Sequence, residues 1–171
     1  ANHTSKTNFK EASFTYKNFP LKFNFNTAEC TFKNNRIEVK NSAFTIADSD
    51  LDFAGDITDL ISYILKKKNT IEITGKLKST YMKFDELLKL KDTSEGKSAE
   101  TMPIWINTDM NTHITTFSYD DFIASDITGQ LIYNNQSLTG KDMSLNSLNG
   151  NIAGNFKFSE SEKNKLTLFS Q

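Results

Sequence analysis

Five aspartates in one short stretch are the first candidates for chemistry. Asp48, Asp50, Asp52, Asp56 and Asp59 fall at positions 1, 3, 5, 9 and 12 of a calcium-binding loop, where oxygen ligands wrap a hard cation. Position 6 is Phe53, where the sharp turn of such a loop requires glycine, and position 12 is Asp in place of the bidentate Glu. With Leu51 and Phe53 alternating between them, the aspartates read better as the polar side of a strand. His113 shares a strand face with Asp109 and Asn111, but the other histidine, His3, stands at the terminus, so a solvated face is the simpler account. Asp120-Asp121, an acid pair by residue type, lies between Tyr119 and Phe122 and reads as a turn or helix start. No nucleophile elbow, phosphate loop or paired zinc motif occurs, so neither an enzymatic function nor a cofactor is expected.

Composition narrows the classes further. The 171 residues carry a formal net charge of -1 with 24% charged residues, which gives no basic face for phosphate neutralisation; no nucleic-acid partner is expected. Cys30 is the single cysteine, so the fold rests on its core and not on a disulfide. The longest apolar runs, such as Tyr63-Ile64-Leu65, fall far short of the roughly 20 residues of a membrane helix. The chain opens at Ala1 without a leader pattern and closes on Leu166-Thr167-Leu168-Phe169, an unfinished strand, so a fragment or processed product is expected.

The elements that would position any site are mostly strands. Fourteen Phe against two Pro, with Thr, Ser and Asn in every segment, favour pleated surfaces joined by tight turns. Leu21, Phe23 and Phe25 share one face and Lys22, Asn24 and Asn26 the other; alternation lapses near Ala28 to Cys30 and resumes at Phe32. Asn34-Asn35 then supplies a hairpin turn before Arg36 to Lys40. Further strands are expected at Phe44 to Ala47, Asp50 to Ala54, Thr70 to Lys78, Pro103 to Thr116, Ser125 to Tyr133, Ser137 to Leu145, Asn151 to Phe158 and Lys165 to Phe169. One amphipathic helix is expected from Asp56 to Lys68, its stripe being Ile57, Leu60, Ile61, Ile64 and Leu65, with Lys66-Lys67-Lys68 at its end. A shorter helical turn is expected at Phe84 to Leu90, and a polar loop at 91–101. Trp105, opposite Ile104 and Ile106, is either an aromatic at a binding edge or covered by that loop, the second being favoured.

The chain also resembles itself. Phe32-Lys33-Asn34-Asn35 is matched 100 residues later by Ile132-Tyr133-Asn134-Asn135, and Phe53-Ala54-Gly55 is matched 99 residues later by Ile152-Ala153-Gly154. The expected organisation is a single domain or part of a longer chain, with two related β units at about 21–90 and 103–169 joined by the polar loop. The fold class is mainly β, a curved antiparallel sheet of repeated hairpin and meander units with one or two short helices.

The order of these motifs is similar to a known family. Ser49-Asp50-Leu51-Asp52-Phe53-Ala54-Gly55-Asp56-Ile57, a helix, Ile73-Thr74-Gly75-Lys76-Leu77-Lys78-Ser79 and Phe84-Asp85-Glu86-Leu87-Leu88 resemble the C-terminal region of AsmA-like proteins. Ile127-Thr128-Gly129-Gln130-Leu131-Ile132-Tyr133-Asn134-Asn135, Leu138, Met143-Ser144-Leu145 and Gly150-Asn151-Ile152-Ala153-Gly154 continue that pattern, which covers about Leu21 to Phe158. The resemblance implies a protein of the Gram-negative envelope: a periplasmic body of repeating groove units, anchored in the inner membrane by a helix this sequence lacks. It implies a role in outer-membrane biogenesis and phospholipid transport, with phospholipid and envelope proteins as partners.

A lipid conduit has a physical requirement. Exposing an acyl chain of about 16 carbons to water costs on the order of 12 kcal/mol at about 0.8 kcal/mol per CH₂, so the inward positions of successive strands must be apolar. Candidates are Ile37, Val39, Phe44 and Ile46, then Leu51 and Phe53, Ile71 and Ile73, Ile104 and Ile106, and in the second half Leu131, Leu145, Ile152, Phe156 and Phe158. The same residues would also fill an ordinary core under the helix, and Lys66-Lys67-Lys68 suit anionic lipid heads or a solvated helix end equally. Two rivals are an extracytoplasmic binding module for protein or glycan, using Asn, Thr and aromatic side chains, and a structural spacer.

Overall fold

Alternation of Phe, Ile and Leu with Lys, Asn, Thr and Asp makes a chain that can bury one side of a sheet and leave the other in water. The computed structural model describes residues 4–16, 19–88, 106–159 and 165–169. Its elements run β1 (Thr4–Tyr16), β2 (Phe19–Lys33), β3 (Arg36–Ile46), β4 (Ser49–Thr58), α1 (Leu60–Ile64), β5 (Ile71–Lys83) and α2 (Phe84–Leu88). The second half adds β6 (Ile106–Tyr119), β7 (Phe122–Asn134), β8 (Ser137–Ser147), β9 (Gly150–Ser159) and β10 (Lys165–Phe169). All ten strands lie in one sheet in sequence order. The protein is mainly β, with two short helices among the described residues, and its curved sheet is not closed into a barrel.

Pairing is antiparallel throughout except between β5 and β6, which run parallel from Ile71 opposite Ile106 to Lys83 opposite Ser118. The curved, mostly antiparallel sheet is as expected, and this parallel junction is the one departure from it among the described residues. Parallel neighbours need a crossover of a dozen or more residues, and the polar stretch of sequence between them is long enough to supply it.

Several strands expected to be separate are continuous. β2 runs through the lapse at Ala28 to Cys30, and β3 joins Arg36–Lys40 to Phe44–Ile46. Register shifts between Phe25 and Thr27, between Glu29 and Cys30, and between Val39 and Ser42 insert extra residues, so alternation changes phase while the strand goes on. β1 is an unanticipated strand, paired with β2 from Thr4 opposite Lys33; Glu11 within it sits at φ 52°, while the register stays in step from Lys10 opposite Thr27 to Ala12 opposite Phe25.

The helix expected from Asp56 to Lys68 is only five residues long. Asp56, Ile57 and Thr58 stay in β4, opposite Glu38, Ile37 and Arg36 on one side and Thr74, Ile73 and Glu72 on the other. Two neighbouring strands offer those residues a full ladder, which the helix start cannot match. Asp59 then takes a left-handed turn at φ 67° into α1. In the second expected helix, Phe84–Leu88 is helical; residues 89 and 90, the 91–101 loop and Trp105 lie outside the described residues.

The two halves share their geometry at an offset of 101. Lys33 faces Arg36 across the β2–β3 turn, and Asn134 faces Ser137 across the β7–β8 turn. Ile46 faces Ser49 across the β3–β4 turn, as Ser147 faces Gly150 across the β8–β9 turn. The bulge between Val39 and Ser42 recurs between Gly140 and Met143. Offsets of 100 and 99 therefore match letters and not positions: at 101, Gly55 corresponds to Phe156 and Phe53 to Gly154.

Candidate functional site: the inner face of the sheet

Strand register sorts every paired side chain onto one of two faces. One row of mutual partners runs Cys30, Val39, Gly55, Gly75, Met110, Leu131, Gly140, Phe156 from β2 to β9. A second runs Phe32, Ile37, Ile57, Ile73, Thr108, Tyr133, Leu138, Phe158. Closer to the β3–β4 turn, Phe25, Phe44 and Leu51 line up, and Phe53 faces Leu77. Every described lining candidate falls on this inner face. Ile37, Val39, Ile46, Leu51, Phe53 and Ile71 are buried there, while Phe44, Ile73, Ile106, Leu131, Leu145, Phe156 and Phe158 are half-buried. Ile152 faces Leu145 yet is 52% exposed near the β8–β9 turn, and Ile104 lies outside the described residues.

These side chains form two adjoining clusters. One gathers Ile46, Leu51, Met82, Ile114, Ala124, Ile127 and Met143, and half-buried Phe23, Phe117 and Phe156 pack on it. The other gathers Ala28, Cys30, Ile37, Val39 and Phe53, flanked by Phe25, Phe32, Ile57, Leu60 and Met110. Phe44 touches both clusters and stacks on Phe25 with ring centroids 5.2 Å apart. Many lining residues were missed as candidates, Phe32, Leu77, Met110, Ile114, Ile127 and Met143 among them. Leu77, Met110 and Ile114 continue the plain alternation of Ile71, Ile73 and Ile106, while Phe32, Ile127 and Met143 come into phase once an extra residue is allowed at the register shifts.

Among the described residues no side chain larger than Ser49 is below 2% exposure, and the apolar side chains of the face are covered by their own neighbours. Phe84, carried by α2, borders one end, 5.6 Å from Phe117 and 6.0 Å from Tyr119 between ring centroids. α1 borders the other, where Leu60 packs on the second cluster.

The face is not wholly apolar, contrary to the strict requirement set above. Ser42, Ser49, Ser79, Thr112 and Ser147 are buried on or beside it. Ser49 Oγ accepts the Lys83 N–H at 2.9 Å, Thr112 Oγ1 donates to the Gly129 carbonyl at 3.0 Å, and Ser147 Oγ donates to the Ile123 carbonyl at 2.7 Å. Ser79 Oγ, among the described side chains, is the buried polar atom without a partner.

The outer face carries the charge. Arg36 holds Asp56 through two bonds of 2.6 and 2.7 Å, Lys40 pairs with Glu29 at 2.9 Å, and Lys33 pairs with Glu38 at 3.0 Å. Hydrogen bonding to Asp56 raises the Arg36 pKa, and hydrogen bonding to Glu29 raises that of Lys40. The aspartates weighed as calcium ligands are dispersed. Burial pushes the Asp50 carboxyl up, but the backbone N–H groups of Thr80 and Tyr81, at 3.0 and 2.6 Å, hold it net below its ordinary value. Asp59 takes Lys68 at 2.6 Å and also bonds Asn35. No group of three or more metal-ligating side chains occurs among the described residues, and His113 is exposed on the outer face. Asp120-Asp121 form the exposed β6–β7 turn. No helix among the described residues is long and apolar enough to cross a membrane. No protein-family model, curated protein or solved structure matches this chain.

Proposed function

We propose that this chain handles phospholipid without catalysis, sheltering acyl chains along the inner face of its curved sheet. The observation that carries this reading is the strand register: from β2 to β9 the inner positions are predominantly apolar, and Phe44, Ile73, Leu131, Leu145, Phe156 and Phe158 among them are only half-buried among the described residues. At about 4.8 Å per strand, those eight strands offer roughly 34 Å of apolar path across the sheet. A path of that kind repays much of the roughly 12 kcal/mol that an acyl chain costs in water. The hydroxyl groups along it are mostly tied to backbone atoms, so they add little demand for water.

The resemblance to AsmA-like proteins supports the same reading and extends it to the cell. On it, the chain is part of a periplasmic, inner-membrane-anchored protein of outer-membrane biogenesis, passing phospholipid along a β groove. Incubating purified protein with detergent-dispersed fluorescent phospholipid, then separating by gel filtration, tests the molecular claim. Lipid eluting with the protein is expected; protein eluting free of lipid at every ratio contradicts it.

A further inference from the structure

The α1 end of the sheet carries a feature that lipid shelter alone does not need. Ile61, Ile64 and Leu65 are 43%, 66% and 58% exposed, and Lys66, Lys67 and Lys68 follow at once, all exposed. This stub is held rigidly. The Asn35 Oδ1 accepts both the Ser62 N–H at 3.3 Å and the Ser62 hydroxyl at 3.2 Å, and the Asp59 N–H donates to the Asn35 carbonyl at 3.0 Å. The β2–β3 turn thus fixes three aliphatic side chains in water beside three cations.

We propose that this stub docks the α1 end of the sheet on an anionic lipid bilayer. Ile64 and Leu65 enter the headgroup boundary while Lys66 and Lys67 meet the lipid phosphates. The inference rests on the lipid reading above, and supplies it with the surface from which lipid is taken or to which it is given.

Three observations favour a bilayer. The acidic groups nearest the stub are engaged: Asp59 by Lys68, Asp56 by Arg36, and Glu72 by the Asn107 amide at 2.7 Å. Lys66 and Lys67 have no ion pair among the described residues, so the stub is locally cationic on a chain of net charge -1. Three aliphatic side chains cannot supply the roughly 800 Å² per partner of a stable protein interface, but they suffice for shallow insertion assisted by charge.

Flotation of the whole chain with phosphatidylcholine vesicles, with and without phosphatidylglycerol, tests the docking. Binding is expected only with the anionic lipid, falling with salt and by about fivefold for each of Lys66→Gln and Lys67→Gln. The double variant Ile64→Ser, Leu65→Ser is expected to abolish it. Leu148→Ser, which removes an 89% exposed leucine from the β8–β9 turn at the opposite end, leaves it unchanged. These side chains are exposed, so the variants keep the parent's unfolding midpoint. A polarity-sensitive dye on Ile64→Cys reports an apolar environment when vesicles are added, while Cys30 stays buried and unlabelled.

Equal binding to neutral vesicles, indifference to the lysine variants, loss of binding through Leu148→Ser, or retention on an acidic protein without vesicle binding would each overturn the proposal. Lipid capture from detergent needs no docking, so it separates the two claims. Stub variants that still capture lipid but no longer float confirm the docking; flotation by a chain that captures none leaves docking standing and removes the groove.

Discussion

Gly55 and Gly75 stand directly opposite each other on β4 and β5, and each leaves room for the other strand's backbone. A Cβ on Gly55 would collide with the Thr74 carbonyl, and one on Gly75 with the Ala54 carbonyl; Gly75 also sits at φ +155°. The pair leaves a bare step in the inner face between Val39 and Met110, where the strands approach closely.

Because backbone cannot give way as a side chain can, Gly75→Ala is expected to lose about 2–4 kcal/mol, combining collision with strain. At Gly140 the obstacle is the ring of Phe156, which can turn aside. Gly140→Ala is therefore expected to lose less, about 1–2 kcal/mol. Urea unfolding of both variants checks the order; a larger loss at Gly140 would contradict it.

Depth along the inner face predicts a gradient of truncation costs. Phe53, buried among Ala28, Cys30 and Val39, is expected to lose about 3–4 kcal/mol on Phe53→Ala. Ile152, on the same face but more than half exposed, is expected to lose under about 1 kcal/mol on Ile152→Ala. Thermal or urea midpoints read the difference directly.

Ser79 offers a substitution that should do no harm. Its buried hydroxyl lacks a partner, so Ser79→Ala removes an unsatisfied polar group and is expected to be neutral or stabilising by up to about 1 kcal/mol. Thr112→Val, by contrast, strips a bond from the Gly129 carbonyl and is expected to lose about 1 kcal/mol. A loss at Ser79 equal to that at Thr112 would show that its hydroxyl is satisfied.

Asp50 makes stability depend on acid. Its folded pKa lies below the ordinary value of 3.8, despite partial burial, because Thr80 and Tyr81 donate to the carboxylate. The stabilisation is present in full above the ordinary carboxylate range and is lost as pH falls through the lowered folded value. Asp50→Asn is expected to be less stable at neutral pH and to lose less of that stability on acidification. Unfolding curves across acidic pH measure it; identical slopes for parent and variant would contradict it.

Much of this architecture is legible in alternation and turn residues alone. Asn34-Asn35, Leu51 with Phe53, and Ile71 with Ile73 mark a hairpin and two inner-face pairs without any coordinates. Bulges hide the rest. The residues between Val39 and Ser42 change the phase of β3, so one strand reads as two and Ser42 drops out of the pattern. Ile57, Leu60, Ile61, Ile64 and Leu65 satisfy a helical period that overstates the helix, because Ile57 is claimed by Ile37 and Ile73 on flanking strands. Local periodicity carries no information about such distant partners. The shift from 100 or 99 to 101 in the repeat has the same origin: identical letters recur beside turns whose structural positions differ by one or two residues.

The central claim is that phospholipid lies against the inner face of the sheet and not the outer. A photoactivatable phenylalanine analogue placed singly at Phe44, Leu131 or Phe156 on the inner face, and at Lys78 or Thr128 on the exposed outer face, tests it in one experiment. After incubation with phospholipid and illumination, mass spectrometry is expected to find lipid adducts at the three inner positions and none at the two outer ones. Adducts of equal yield on both faces, or lipid adducts at none of the inner positions, would contradict the account.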